Sequence, residues 1–155
     1  MGLDPRQLLA LVICPTLQRL DLWSSAAEEL VLGIAVQESG LHYLTQLGGG
    51  PARGLWQMEK ATHDDIWTNF LHGHTKLGLN ILGPYPKPDH SRLAWDLVYA
   101  CGMCRAHLLR CPDALPTAGD LKGQAAYWKK FYNTPLGSGT VEQYITNWNR
   151  VMGHI

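Results

Sequence analysis

The clearest hydrophobic pattern in the chain lies between Ser25 and Ser39. Apolar residues recur there at steps of three and four, which places them along one face of a helix directed at a core: Ala27, Leu30, Val31, Ile34 and Ala35. Ser25 and Glu28 have the spacing of a capping box, which predicts the start of this helix. Gly40 follows as a predicted stop.

Similar patterns and cap residues predict further helices, from Asp4 and Pro5 to about Ile13, from Pro15 to Leu22, from Thr62 with Asp65 to Leu71, from Ser91 to Cys111, from Asp120 to Phe131, and from Thr140 with Gln143 to Gly153. The segment Gly48 to Gly54 cannot hold a helix because of its repeated Gly and one Pro. The segment from Gly78 to Asp89 is rich in Gly and Pro, which predicts an excursion of the chain along the surface without regular structure. The sequence therefore predicts a mainly α, single helical domain over 1–155, with an irregular or small β insert between its third and fourth helices.

The composition limits the classes of function. The 155 residues include 46% hydrophobic and 17% charged residues, which favours one compact domain. Thirteen basic residues balance thirteen acidic ones, so we expect no nucleic-acid partner. The apolar run from Leu8 to Cys14 is too short to span a membrane, and Asp4 and Pro5 stand where a secretory signal carries positive charge. We therefore expect a soluble protein made in the cytoplasm without a signal peptide.

Three of the four cysteines fall on the predicted fifth helix and its end. Cys101, Cys104 and Cys111 share a helical stripe with Leu93, Leu97 and Leu108, which predicts buried, reduced thiols that pack as small hydrophobic groups. With His107 they also offer zinc-ligand chemistry, but ligands on one rigid helix do not easily close a tetrahedron. We expect no metal and no cofactor.

Glu38 is the candidate for acid–base chemistry. It lies four residues after Ile34 and seven after Val31, so its carboxyl leaves the helix from the face that carries the apolar stripe. Burial and the negative end of the helix dipole both favour the neutral acid, as a general acid requires. The alternative is a carboxylate that turns toward water at the helix end or pairs with Arg53.

Three segments in order resemble the soluble lytic transglycosylases and goose-type lysozymes. The first runs from Ala35 to Leu41 and contains the pair Glu38 and Ser39, which ends a helix. The second is Gly54-Leu55-Trp56-Gln57, and the third runs from Phe131 to Gly137 around Tyr132 and Asn133. Trp56 replaces the family's usual Met, and Thr134 with Pro135 replaces the usual Ala-Gly. The phrase around Trp56 also looks like small phage-encoded proteins of this superfamily.

The resemblance implies an α+β lysozyme-like fold in which the insert forms a cleft. It makes Glu38 the catalytic residue, with the hydroxyl of Tyr132 near its carboxyl. It also implies a set of residues that bind substrate or shape the cleft: Ser39, Gly54, Leu55, Trp56, Gln57 and Asn133. Trp56 is the candidate for stacking on a sugar, and Arg53 either binds a substrate carboxylate or pairs with Glu38 or Glu59.

The function implied by the resemblance is that of a peptidoglycan lytic transglycosylase, a cell-wall-degrading lyase. Protonated Glu38 would cleave the β-1,4 bond between N-acetylmuramic acid and N-acetylglucosamine and then act as base, which leaves 1,6-anhydro ends. A muramidase that hydrolyses the same bond needs a second carboxylate, for which Glu59, Asp64 and Asp65 are candidates.

The third alternative is a non-enzymatic bacteriophage virion or accessory protein that keeps the lysozyme-like fold. The expected partners are peptidoglycan glycan strands and, for a virion component, other phage virion proteins. Since we expect synthesis in the cytoplasm, a holin-type pore, a phage particle or lysis would have to bring the protein to the cell wall.

Overall fold

The structure is a computed structural model that describes residues 2–134 and 136–153. It is mainly helical, as predicted. Its α-helices are α1 (Pro5–Leu8), α2 (Cys14–Arg19), α3 (Ser25–Ser39), α4 (Lys60–Asn69), α5 (Thr75–Leu82), α6 (Leu97–Leu109), α7 (Leu121–Tyr127) and α8 (Val141–Met152). Short 3₁₀ segments cover Leu71–Gly73 and His90–Ala94, and π-helical segments cover Leu9–Ile13 and Trp128–Asn133. None of the helices in the described part of the chain has the length and apolar character needed to cross a membrane.

The first two predicted helices form one uninterrupted helical run. The π-helical segment Leu9–Ile13 joins α1 to α2, so the predicted restart at Pro15 is wrong. A proline has no N–H to donate and its ring crowds the preceding turn, and the wider π turn just before Pro15 accommodates both effects. The run ends at Arg19 rather than at Leu22, because the backbone turns left-handed at Asp21.

The helix α3 has the predicted end but a different cap. Ser24, not Ser25, is the N-cap, and its hydroxyl accepts from the Ala27 backbone N–H. The predicted capping box is therefore wrong, and Glu28 instead accepts a hydrogen bond of 2.7 Å from the Trp23 indole. Gly40 ends the helix in the left-handed conformation, as predicted.

Three other boundaries differ from the sequence predictions. The helix α4 begins at Lys60, so Thr62 and Asp65 do not cap it. Part of the predicted surface excursion is the helix α5, whose Gly78 packs against Trp67. Asp96 rather than Ser91 caps α6, because a 3₁₀ segment precedes it. The hydrophobic pattern alone does not show that a glycine such as Gly78 lies at a close contact within a helix. It also does not show which of several possible residues is the N-cap, as at Asp96.

The helices α3 and α6 lie at the centre of the core. Every residue of α6 from Tyr99 to Leu108 is buried, and the side chains of Cys101 and Cys104 are fully enclosed. In the C-terminal part of the chain, α8 packs against α3, and α7 packs against α8. Asp120 caps α7 and the Thr140–Gln143 capping box starts α8, both as predicted.

The segment between α3 and α4 is irregular. Isolated antiparallel bridges join Thr45 to Arg53 and Arg53 to Met58, and the described residues contain no sheet. The segment folds back on itself through left-handed turns at Gly54 and Gln57. It forms one side of a cleft of about 920 Å³.

Candidate functional site

A cleft with two lobes runs past the C-terminal end of α3. The larger lobe, of about 920 Å³, lies between this end, the irregular segment and α8. The smaller lobe, of about 560 Å³, lies between the end of α6, the start of α4 and the π-helical segment Trp128–Asn133. Four residues line both lobes, so they mark the junction: Glu38, Gln57, Glu59 and Asn133.

The carboxyl of Glu38 is held at this junction in a mostly buried position. Burial raises the pKa of Glu38 to about 7, although a hydrogen bond from Trp128 opposes part of the increase. The alternative pairing with Arg53 does not occur, because the Arg53 guanidinium donates to the carbonyls of Gly50 and Ala52 at 2.7 and 2.9 Å. A carboxyl with this pKa exchanges a proton near neutral pH, which general acid–base chemistry requires.

Trp128 is the partner of Glu38, and the sequence analysis does not single it out. Its indole N–H donates to Glu38 Oε1 at 2.9 Å, and its side chain is only 1% exposed. The two residues are 90 positions apart, so no local pattern connects them. The only signal available in the sequence is general: a buried indole N–H needs an acceptor.

Tyr132 lies on the smaller lobe with Glu38, but its hydroxyl has another partner. The hydroxyl donates to the backbone carbonyl of Trp56, and burial raises the pKa of Tyr132 well above its usual value. It therefore cannot act as a base near neutral pH. Its contact instead joins the π-helical segment to the irregular segment across the cleft.

The predicted cleft wall from Gly54 to Gln57 divides into core and cleft residues. Leu55 and Trp56 are each 1% exposed, and the Trp56 indole donates to the Val31 carbonyl at 2.9 Å. The prediction that Trp56 stacks on a sugar face or flanks the cleft is therefore wrong, and Leu55 is likewise enclosed in the core. Gly54 has a φ of 81° and is buried, so its role is to shape the turn. Only Gln57 reaches the cleft, with its amide nitrogen donating to the Gly54 carbonyl.

Ser39 and Asn133 line the larger lobe, and each is anchored by the protein itself. The Ser39 hydroxyl donates to the Ala35 carbonyl and accepts from the Leu41 N–H, so it ends the helix rather than offering a free hydroxyl. Asn133 accepts from Lys129 Nζ at 2.8 Å through its side-chain oxygen, which leaves its amide N–H groups for a ligand. The remaining part of the third motif includes Pro135, which lies outside the described residues.

Among the three candidates for a second carboxylate, Glu59 alone lines the cleft. Asp64 contacts Lys60 and His63, and Asp65 contacts Arg110 and Asn69. These contacts lower the pKa of both aspartates, so each stays ionised and committed to a local partner. Glu59 is exposed at the junction of the lobes.

His107 is a second residue that sequence reasoning did not assign to the cleft. Burial lowers the pKa of His107 to about 4, so its imidazole is neutral at pH 7. Its ring meets the Tyr132 ring edge-on at 5.0 Å, and Arg110 donates to its Nδ1 at 3.2 Å. His107 therefore supports the smaller lobe without adding charge to it.

Several neutral amides line the larger lobe, beside the charged side chains of Glu59 and Arg150. Asn147 donates to the Gln37 side-chain oxygen at 2.8 Å, and Gln46 accepts from the Ala52 N–H at 3.0 Å. Gln37 and Gln46 each use their oxygen within the protein and keep their amide N–H groups for a ligand, whereas Asn147 also accepts from Arg150 at 3.2 Å. The free amide ends suit ligands that are rich in hydroxyl and amide groups. Within residues 2–134 and 136–153, no group of three or more His, Cys, Asp or Glu side chains is arranged to hold a metal ion.

Comparison with known proteins does not identify this chain. No family model, curated protein or solved structure matches it.

Proposed function

We propose that this protein is a lytic transglycosylase that cleaves the β-1,4 bond between N-acetylmuramic acid and N-acetylglucosamine in peptidoglycan. One observation carries the proposal: Glu38, a carboxyl with a pKa of about 7, lies where the two lobes of a cleft meet. A glycan strand that occupies both lobes would present a glycosidic oxygen to it. The likeness of the three sequence segments to lytic transglycosylases supports the same choice.

The reaction would use the Glu38 carboxyl twice. The protonated carboxyl donates to the glycosidic oxygen as the bond from that oxygen to the muramic acid C1 breaks through an oxocarbenium-like state. The resulting carboxylate takes the proton of the 6-hydroxyl of the same sugar while O6 bonds to C1. The products are a free 4-hydroxyl and a 1,6-anhydro end, and Glu38 is protonated again without consumption of water.

The other cleft residues would bind and orient the strand. The free amide groups of Gln37, Gln57 and Asn133 are placed to hydrogen-bond sugar hydroxyl and acetamido groups. Burial of Glu38 keeps the proton on the free enzyme up to about pH 7. We therefore expect kcat/KM to fall as the pH rises through 7, because the general acid is lost.

The second candidate function is a muramidase that hydrolyses the same bond. The observation that favours it is Glu59, a carboxyl at the junction of the two lobes beside Gln57. A carboxylate there could orient a water molecule for attack at C1. The products of the two candidate reactions differ in mass by one water molecule.

Mass spectrometry of purified peptidoglycan after digestion tests the proposal. Wild-type protein should release fragments with 1,6-anhydro ends, and Glu38→Gln should reduce the rate by about 10²–10⁴-fold, as expected for a lost general acid. Glu142→Gln, which alters an exposed glutamate on α8, is the matched control and should act like the wild type. Reducing ends would select the muramidase, and no release by the wild type would overturn both functions.

A further inference from the structure

The hydrogen bond between Trp128 and Glu38 distinguishes the two oxygens of the carboxyl. An indole N–H can only donate, so Oε1, which lies 2.9 Å from Trp128 Nε1, has to accept. In a protonated carboxyl, the oxygen that accepts such a bond is the carbonyl oxygen. The proton therefore resides on Oε2.

The second oxygen is open to the cleft. No described residue donates to or accepts from Oε2, and the buried side-chain atoms without a partner among the described residues belong only to Gln124 and Tyr144. Oε2 is thus in contact with solvent rather than enclosed without a partner. Since Glu38 lines both lobes, this solvent is that of the cleft.

The position of Trp128 is fixed by its surroundings. Its ring lies 5.5 Å from the Tyr144 ring on α8. The backbone of Gly139 is so close to the Trp128 ring that a Cβ at this position would lie 2.5 Å from a ring carbon. Trp128 also begins the π-helical segment, in which residues five apart close one turn. Trp128 and Asn133 therefore lie on the same side of this segment, where Asn133 lines the cleft junction and the buried Trp128 contacts Glu38.

We propose that Trp128 is a positioning residue that fixes which oxygen of Glu38 transfers the proton. Its indole holds Oε1, and Oε2 carries the proton toward the bond that is cleaved. The role of this proton in bond cleavage rests on the proposed function, whereas the assignment of the proton to Oε2 rests on the contact alone. The same contact stabilises the carboxylate form, since the N–H donates to it more strongly once it is charged.

The other titratable groups around Glu38 do not compete for this role. On α6, Cys104 is neutral because burial raises its pKa well above its usual value, and His107 is neutral because burial lowers its pKa to about 4. On the π-helical segment, Tyr132 is neutral because burial raises its pKa. Glu59, at the start of α4, faces the same junction from an exposed position.

Nuclear magnetic resonance of the ¹⁵N-labelled wild type tests the contact without any substrate. The resonance of the Trp128 indole N–H should move with pH with a midpoint near 7, and this titration should disappear in Glu38→Gln. The other five tryptophans provide internal references. A Trp128 resonance that does not change between pH 5 and 9 would overturn the proposal, whether or not the protein cleaves peptidoglycan.

Kinetics of Trp128→Phe test the consequence for proton transfer. This variant keeps an aromatic ring but removes the N–H, so we expect kcat to fall roughly tenfold to a hundredfold with little change in KM. The alkaline limb of the pH profile should also move to higher pH, because the carboxylate has lost a donor. Trp148→Phe, which alters a half-buried tryptophan on α8 outside the cleft, is the control. A fall in kcat without a shift of the pH profile would indicate a purely structural role and contradict the proposal.

Discussion

The two walls of the cleft are built in different ways. One wall, here called the α3 wall, consists of Glu38, Ser39 and Gln57. The hydrogen bonds of Ser39 and Gln57 are local, because they join Ser39 to residues four and two positions away and Gln57 to Gly54. The other wall, the α7 wall, consists of Tyr132 and Asn133 with the buried Trp128 behind them, on the π-helical segment that follows α7. Its hydrogen bonds to Glu38 and to the Trp56 carbonyl span 90 and 76 positions.

This difference separates two tasks. The α3 wall supplies the proton-carrying group from a short stretch of chain, because Glu38 ends a helix and Gln57 lies in the turn-rich segment that follows it. The α7 wall orients that group and closes the smaller lobe through contacts that exist only in the folded protein. We therefore expect changes in the α3 wall to affect folding or the presence of the acid, and changes in the α7 wall to affect how the acid is held.

The largest effect on stability is expected from Gly54→Ala, in the turn that supports the α3 wall. An alanine Cβ would lie 2.5 Å from the Leu93 carbonyl oxygen, and φ is 81°. Left-handed strain and overpacking together should reduce the free energy of unfolding by roughly 4 kcal/mol, as measured by urea denaturation.

Gly48→Ala is the matched control for Gly54→Ala. Its φ is 82°, but no atom lies within 4 Å of the added Cβ. It should therefore cost only the strain, on the order of 1 kcal/mol. Equal losses in the two variants would show that the contact with Leu93 does not hold the turn.

A slightly smaller effect is expected from the burial of Glu38 itself. The folded pKa of about 7 lies above the reference value of 4.5, so the unfolded chain releases this proton at lower pH than the folded protein does. The contribution of this raised pKa to the free energy of unfolding is fully present below pH 4.5 and is lost as the pH rises to 7. Between pH 4 and pH 8, the free energy of unfolding of Glu38→Gln should therefore rise relative to that of the wild type by about 3 kcal/mol.

Urea denaturation of both proteins at the two pH values measures this difference. Glutamine can still accept from the Trp128 indole, so the hydrogen bond is retained in the variant. Glu142→Gln should show no such pH-dependent difference from the wild type, since Glu142 is exposed. A constant difference between Glu38→Gln and the wild type across this range would mean that Glu38 is solvated, and the acid–base proposal would then lose its basis.

The smallest effect is expected from Tyr132→Phe in the α7 wall. The loss of the hydrogen bond to the Trp56 carbonyl should lower the free energy of unfolding by about 1–2 kcal/mol, while peptidoglycan cleavage stays within severalfold of the wild type. Tyr85→Phe, at an exposed position, is the control for stability. A loss of cleavage of a hundredfold with unchanged stability would instead give the Tyr132 hydroxyl a direct role on the substrate.

The sequence predicted the α3 wall better than the α7 wall, for physical reasons. The step from Val31 and Ile34 to Glu38 is set by the helix period, and Gly40 is a strong local stop signal. Local signals also located α8 through its capping box at Thr140. In these places the nearest neighbours along the chain decide the structure.

Elsewhere the deciding contacts are distant along the chain. Trp56 lies in a turn without periodicity, so the pattern could not show that its ring enters the core under Val31. Trp128 lies on the π-helical segment and is buried, but the acceptor of its N–H, Glu38, is on another helix 90 positions away. The π-helical segment Trp128–Asn133 brings Asn133 to the side of Trp128. No residue in its sequence signals the π turn in the way that Pro15 does for the first π-helical segment.

The enclosed cysteines of α6 provide a built-in reporter of global opening. Cys101 and Cys104 are completely buried, and burial raises the pKa of the Cys101 thiol to about 12, so neither can react with an alkylating reagent while the protein is folded. Cys14 and Cys111 are only half-buried and should be modified first. Counting the mass added by such a reagent over time therefore gives the rate at which the whole core opens, without any engineered label.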